Sequence, residues 1–170
     1  MMARWRLGML LAGVLAMSAC TKIDDNRTPA YMVNIRLDTH ALWSTYGVSG
    51  MGDYRVFIRD KKLPSNYPYT ANTYTGFGGV LLMVGYDFTT QSYGVPVAYD
   101  MACPYENRQS VTVTYNSSNM EEAYCPNCGS RYNVLEGGGA ATSGPAYERH
   151  FGLTRYRVTA SANGGYVVSN

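Results

Sequence analysis

The sequence predicts an all-β fold, and three observations carry that prediction. Apolar and polar residues alternate with a period of two through several short segments, the pattern of half-buried strands. Runs rich in Pro, Asn, Ser and Gly separate those segments and supply turns. Sixteen tyrosines and eighteen glycines, with few leucines, suit pleated sheets better than helices.

Taken in order, "YMVNIRLD" sets Val33, Ile35 and Leu37 on one face against Asn34, Arg36 and Asp38. "DYRVFIRD" does the same with Tyr54, Val56 and Ile58 against Arg55, Phe57 and Arg59. "GVLLMVGY" is a short continuous apolar run, as expected of a strand buried on both sides. "VPVAYDMA", "VTVTY", "RYNVL", "TRYRVTA" and "GYVVS" complete the strands, with "KKLPSNYP", "NSSN" and "NGG" as turns. No stretch carries a helical period with caps, and there is no internal repeat. "TGFGG" lacks the spacing of a dinucleotide fingerprint and reads as a turn before a buried strand. "LEGGGAATSGPA" reads as a long flexible connection, and the tyrosines of "NYPYTANTYTGF" offer rings that a sugar or a partner protein would accept.

The N-terminus fixes the expected compartment. Arg4 and Arg6 precede a short apolar run, Leu7 to Ala19, too short to span a bilayer and arranged like a secretory signal. Its end, "MSAC", resembles the lipobox of bacterial lipoproteins, in which the cysteine is acylated with palmitate-type chains and becomes the mature N-terminus. The expected organisation is a signal peptide over 1–19, a tether over 20–30 lipidated at Cys20, and one β domain over 31–170. Lys22 with Asp24 and Asp25 also resembles the surface-export signal of some Gram-negative lipoproteins. An outer-membrane lipoprotein of the bacterial envelope is therefore expected, periplasmic or surface-exposed, in a space where free thiols tend to oxidise. Without Arg4 and Arg6, the fourteen basic side chains fall to twelve and equal the twelve acidic ones. A charge near zero argues against a nucleic-acid partner.

Besides Cys20 the chain has Cys103 in "YDMACPYENR", and Cys125 and Cys128 in "EEAYCPNCGSRYNV". Pro126 and Gly129 shape "CPNCGS" as a tight knuckle in which two thiolates face one ion. Structural zinc and mononuclear iron sites pair such knuckles to complete a sulfur tetrahedron, but here the other half, "CPYE", has one thiol. A thioredoxin-like role for "CPNC" needs a lowered thiolate pKa, usually from a helix N-terminus, and this motif lies between strands. Glu121 and Glu122 are adjacent, and so point to opposite faces of a strand. Two scattered histidines, His40 and His150, support no Ser/His/Asp arrangement.

From about Val97 onward the order "CPY", "CPNCGSRY", "LEGGG", "SGPA", "LTRYRV", "GGYVV" resembles a Rieske iron–sulfur domain. That family carries C-x-H in one loop and C-x-x-H in a second, often followed by Gly-Ser and an aromatic, then a Gly-rich stretch and G-P-A. The resemblance implies Rieske-like antiparallel sheets with a small cluster-binding subdomain over about 100–147. It also implies a [2Fe–2S] cluster, with Cys103 and Cys125 as its thiolate pair. The two histidine positions hold Tyr105 and Cys128, and without imidazoles the cluster potential falls.

Three arrangements follow from that resemblance. Cys103 and Cys125 close a disulfide, worth roughly 3 kcal/mol in the chain-entropy model. Alternatively Cys103, Cys125 and Cys128 bind one zinc or iron ion, with Glu106 or Tyr105 as fourth ligand. In the third, an altered [2Fe–2S] cluster is held by the three cysteines and one oxygen. An iron-bearing site implies one-electron transfer with a redox partner and no substrate chemistry. A metal-free or zinc-bound site implies a binding or structural module that meets a surface protein.

Overall fold

The computed structural model describes residues 22–87, 90–136 and 138–170; the signal segment and Cys20 lie outside them. The described chain runs β1 (Val33–Thr39), α1 (His40–Tyr46), β2 (Tyr54–Phe57), β3 (Tyr74–Thr75), β4 (Val80–Asp87) and β5 (Ser92–Asp100). It continues through β6 (Thr114–Tyr115), β7 (Glu122–Tyr124), β8 (Arg131–Asn133), β9 (Ala140–Ser143), α2 (Pro145–Glu148), β10 (Arg155–Ala160) and β11 (Gly164–Ser169). The expected all-β, antiparallel fold is what forms. Among the described residues no helix is long and apolar enough to cross a membrane.

Two sheets share the work. Seven strands in the order β2-β4-β5-β10-β11-β1-β3 curl into a nearly closed barrel, and four more form a second sheet in the order β6-β7-β8-β9. The Arg59 backbone N–H donates to Thr75 Oγ1 at 3.4 Å and its guanidinium to the Thr73 carbonyl at 3.1 Å, drawing the two edges of the curl together. Strand β4 explains why "GVLLMVGY" is apolar throughout. Val80, Leu82 and Val84 point into the curl with Ile35, Leu37, Phe57 and Val168, while Leu81 and Met83 point the other way. That second face packs with Val97 and Tyr99 against Ala123 and Tyr132 of the smaller sheet and against Val113 and Val134, which flank its strands. Each fully buried aliphatic side chain there contributes about 1.5–3 kcal/mol. The same two-sidedness alters the reading of β2: Phe57 is fully buried in the first core, while Val56 and Ile58 pack on the second.

Several local details differ from expectation. A two-turn helix follows β1, because the Thr39 hydroxyl caps it by accepting from the Leu42 N–H at 3.3 Å. Residues 24–28, within the expected tether over 20–30, touch the β domain. The Asp24 N–H donates to the His150 carbonyl and the Gly152 N–H to the Asp24 carbonyl, both at 2.8 Å, and Thr28 is buried. "LEGGGAATSGPA" carries β9 instead of being loop throughout. The tyrosine-rich stretch turns inward in part: buried Tyr67 meets Tyr46, Phe57 and Tyr69 edge-on. "TGFGG" is a turn before β4, and its amides are already taken. Asp100, 1 % exposed, accepts from Phe77 N–H at 2.8 Å, Gly78 N–H at 3.0 Å and Ala102 N–H at 2.7 Å, and from the Tyr156 hydroxyl. The carboxylate thereby ties this turn to the segment that delivers Cys103.

Candidate metal centre

Cys103 leaves the end of β5, and its position is fixed at both backbone groups. Its N–H donates to the Val111 carbonyl at 2.9 Å, and its carbonyl accepts from the Asn107 N–H at 2.8 Å. Cys125 and Cys128 occupy the turn between β7 and β8. There the Gly129 N–H donates to the Cys125 carbonyl at 2.9 Å, and the Cys125 N–H to the Ser130 carbonyl at 2.8 Å. Gly129 takes φ +76°, a left-handed conformation that a side chain disfavours, so the knuckle closes tightly.

The two loops bring the three sulfurs within 4.8 Å of one another, with Cys103 Sγ 3.7 Å from Cys128 Sγ. Cys103 and Cys125 are fully buried and Cys128 half-buried. All three are free thiols in this structure. Thiolates on a tetrahedral ion with bonds of about 2.3 Å stand about 3.8 Å apart, close to the Cys103–Cys128 separation.

The oxygens around this group come from the Gly-Ser and the aromatic that follow the second cysteine loop in "CPNCGSRY". The Tyr132 hydroxyl is 3.3 Å from Cys103 Sγ, and Ser130 Oγ is 3.2 Å from Cys128 Sγ. Ser130 Oγ also accepts from the Ala146 N–H at 3.0 Å, which packs the "SGPA" segment and the start of α2 against the knuckle. In the neutral thiol, Cys128 Sγ donates to the second lone pair of Ser130 Oγ. Burial pushes the Cys103 thiol up to about 12, against hydrogen bonding from Tyr132 that favours the thiolate. Burial acts on Cys128 in the same direction but is outweighed there. Hydrogen bonds from the Ser130 hydroxyl and backbone, then from Cys103 and Cys125, hold its pKa below the ordinary thiol value.

Glu106 and Tyr105, the alternatives for a fourth ligand, follow Cys103 in its loop, and Glu106 stands outside the thiol group. Glu106 accepts from the Asn127 side chain at 2.5 Å, and Tyr105 is 40 % exposed with no hydrogen bond to a thiol. His40 and His150 are exposed and also outside the group. The donor set therefore does not fit a Rieske centre, which needs two imidazoles on one iron. It fits one thiolate-loving ion with an open fourth position.

Fold and site together define an all-β protein with a three-cysteine group able to hold a metal ion. No protein-family model matches the chain, and no curated protein matches it.

Proposed function

We propose that the chain is a lipid-anchored envelope module whose three cysteines hold a single structural ion of the zinc class. On this reading it is a remodelled relative of the Rieske domain. The observation that carries the proposal is the convergence of three sulfurs, two of them fully buried, within 4.8 Å. Thiolates on separate irons of a two-iron cluster stand farther apart than thiolates on one ion. Charge supports the same reading: a buried thiol held protonated to about pH 12 becomes a thiolate readily only beside a cation. Cys103 follows β5 and the other two cysteines join β7 to β8, so an ion would staple the smaller sheet to the larger one. The function is then binding or scaffolding by a stable surface, with no turnover at the metal.

The mature chain, purified anaerobically after growth with both zinc and iron, tests this. One zinc per chain without acid-labile sulfide is expected, with most of it lost in Cys128→Ser. A brown protein with two irons and inorganic sulfide per chain would replace this reading with the electron carrier, and metal-free protein would sink both. The anchor rests on Arg4, Arg6 and "MSAC". Cys20→Ala is expected to release the protein from membranes, and continued membrane association would count against lipidation.

A further inference from the structure

The chain between the expected lipid and the β domain is short. Asp24 joins the domain as a bridge parallel to Phe151: its N–H donates to the His150 carbonyl and its carbonyl accepts from the Gly152 N–H, both at 2.8 Å. The residues that follow stay down. The Thr154 hydroxyl donates to the Asp25 carbonyl at 2.6 Å, the Thr28 and Thr154 hydroxyls are 2.7 Å apart, and the Arg27 guanidinium lies over the Phe151 ring at 5.4 Å. Four residue steps separate Cys20 from Asp24, a reach of at most about 14 Å when fully extended. Roughly 6 Å of it is used in crossing a headgroup layer, because acyl chains lie in the hydrocarbon. An acylated Cys20 therefore leaves Asp24, and the surface to which it is pinned, within about 10 Å of the bilayer.

The surface around that pin is apolar and open to solvent. Ile23 and Tyr147, 43 % and 54 % exposed, line a shallow recess of about 190 Å³ with Ala141, His150 and Phe151. A Cβ on Gly152 would stand 2.9 Å from Ile23 Cγ2, so the isoleucine lies directly on the domain. Tyr147 belongs to α2, which buries Ala146 and turns the tyrosine outward. An isoleucine beside a tyrosine, with its apolar ring and polar tip, suits the boundary between headgroups and acyl chains. The nearby exposed charges balance, Lys22, Arg27 and Arg149 against Asp24, Asp25 and Glu148, so an anionic lipid surface is not repelled.

We infer that this face, with Ile23 and Tyr147 at its centre, rests on the headgroup layer of a phospholipid bilayer and fixes the orientation of the β domain against it. This orientation rests on the proposed acylation of Cys20 and goes beyond it. A lipid on a long loose tether leaves every face of the domain free, whereas a pin at Asp24 admits one. The bilayer is the occupant because the gap is too thin for another: a single helix with its side chains is about 10–12 Å across. Helix α2 also carries the Ala146 N–H that donates to Ser130 Oγ at 3.0 Å, so the lipid-facing surface is braced on the cysteine knuckle. Strand β9 lies on the same side, since Ala140 bridges Gly152. The turn from β6 to β7, with Met120 exposed, is at the opposite edge of the smaller sheet and is left facing away from the membrane.

The test expresses the full chain with its signal, purifies the membrane form and reconstitutes it into vesicles of phosphatidylethanolamine and phosphatidylglycerol. Half the vesicles carry acyl chains brominated near the headgroup, which quench indole emission on contact. Tyr147→Trp and Met120→Trp report the two edges, with the parent supplying the background of Trp43. Both positions are exposed, and thermal melts matching the parent show that the variants fold. All three chains are expected to float with the vesicles. Bromine is expected to remove roughly half or more of the emission added by Tyr147→Trp, as for a ring seated at the headgroup boundary, and almost none of that added by Met120→Trp. Chain that does not float overturns the anchor and this orientation with it. Chain that floats while Tyr147→Trp is quenched no more than Met120→Trp overturns the orientation and leaves the anchor standing. Emission from Tyr147→Trp that shifts to the blue without bromine quenching marks a second copy of the chain on this face, and also overturns it.

Discussion

Cys103 and Cys128 lie 3.7 Å apart and are pushed in opposite directions. Burial dominates at Cys103, whereas the Ser130 hydrogen bonds win at half-buried Cys128. In metal-free, reduced protein Cys128 is therefore the nucleophile. Iodoacetamide is expected to modify one thiol per folded chain, at Cys128, at a pH where free cysteine reacts slowly; peptide mapping that found Cys103 or Cys125 first would contradict this. The raised Cys103 value also gives a sign for stability. Folding holds that proton while the unfolded chain releases it near its ordinary pKa of about 8.5. Stability of the metal-free protein is then complete below that pH and falls as pH rises towards 12. Urea midpoints that rose across that interval would contradict the assignment. The sequence marked the sulfurs at this scale and, through "CPNCGSRY", the positions of Ser130 and Tyr132, but not which sulfur each meets, because that depends on which strand face turns towards Cys103.

At the scale of elements, β11 runs close against β1 at Gly165. A Cβ on Gly165 would sit 1.9 Å from the Leu37 carbonyl oxygen and 2.9 Å from the backbone of Thr39. Backbone cannot yield as a side-chain tip does, so the strands would have to separate. Gly165→Ala is expected to cost roughly 1–3 kcal/mol, read as a melting temperature several degrees lower. An unchanged melt would mean that the pairing of Gly164 with Thr39 is not held this closely. Legibility followed element length and pattern. β1, β4, β5, β10 and β11 run six residues or more and stand out in the sequence, β4 as a continuous apolar run. β3, β7 and β9 have two to four residues and carry no period of their own. They form because longer neighbours offer an edge. Helix α1 escaped notice because it buries no residue fully and rests on one capping hydroxyl.

Across the whole molecule, β4 and β5 separate two cores, and the cysteines belong to the second. The Tyr99 hydroxyl donates to the Val134 carbonyl at 3.0 Å and the Tyr86 N–H to the Leu135 carbonyl at 3.0 Å, so the sheets are tied at the end away from the knuckle as well. An ion at the thiols would close the other end and couple its binding to the docking of the smaller sheet. The all-β class could be read from the chain because period-two patterning survives any topology. The curl, and the split of β10 between β5 and β11, could not: they depend on which strands become neighbours. The central claim is that one ion sits among Cys103, Cys125 and Cys128. X-ray absorption at the metal edge of the purified mature chain tests it most directly. The account predicts a first shell of three sulfurs at about 2.3 Å and one lighter atom, with no metal–metal scattering. A short metal–metal distance, or a shell of oxygen and nitrogen alone, would contradict it.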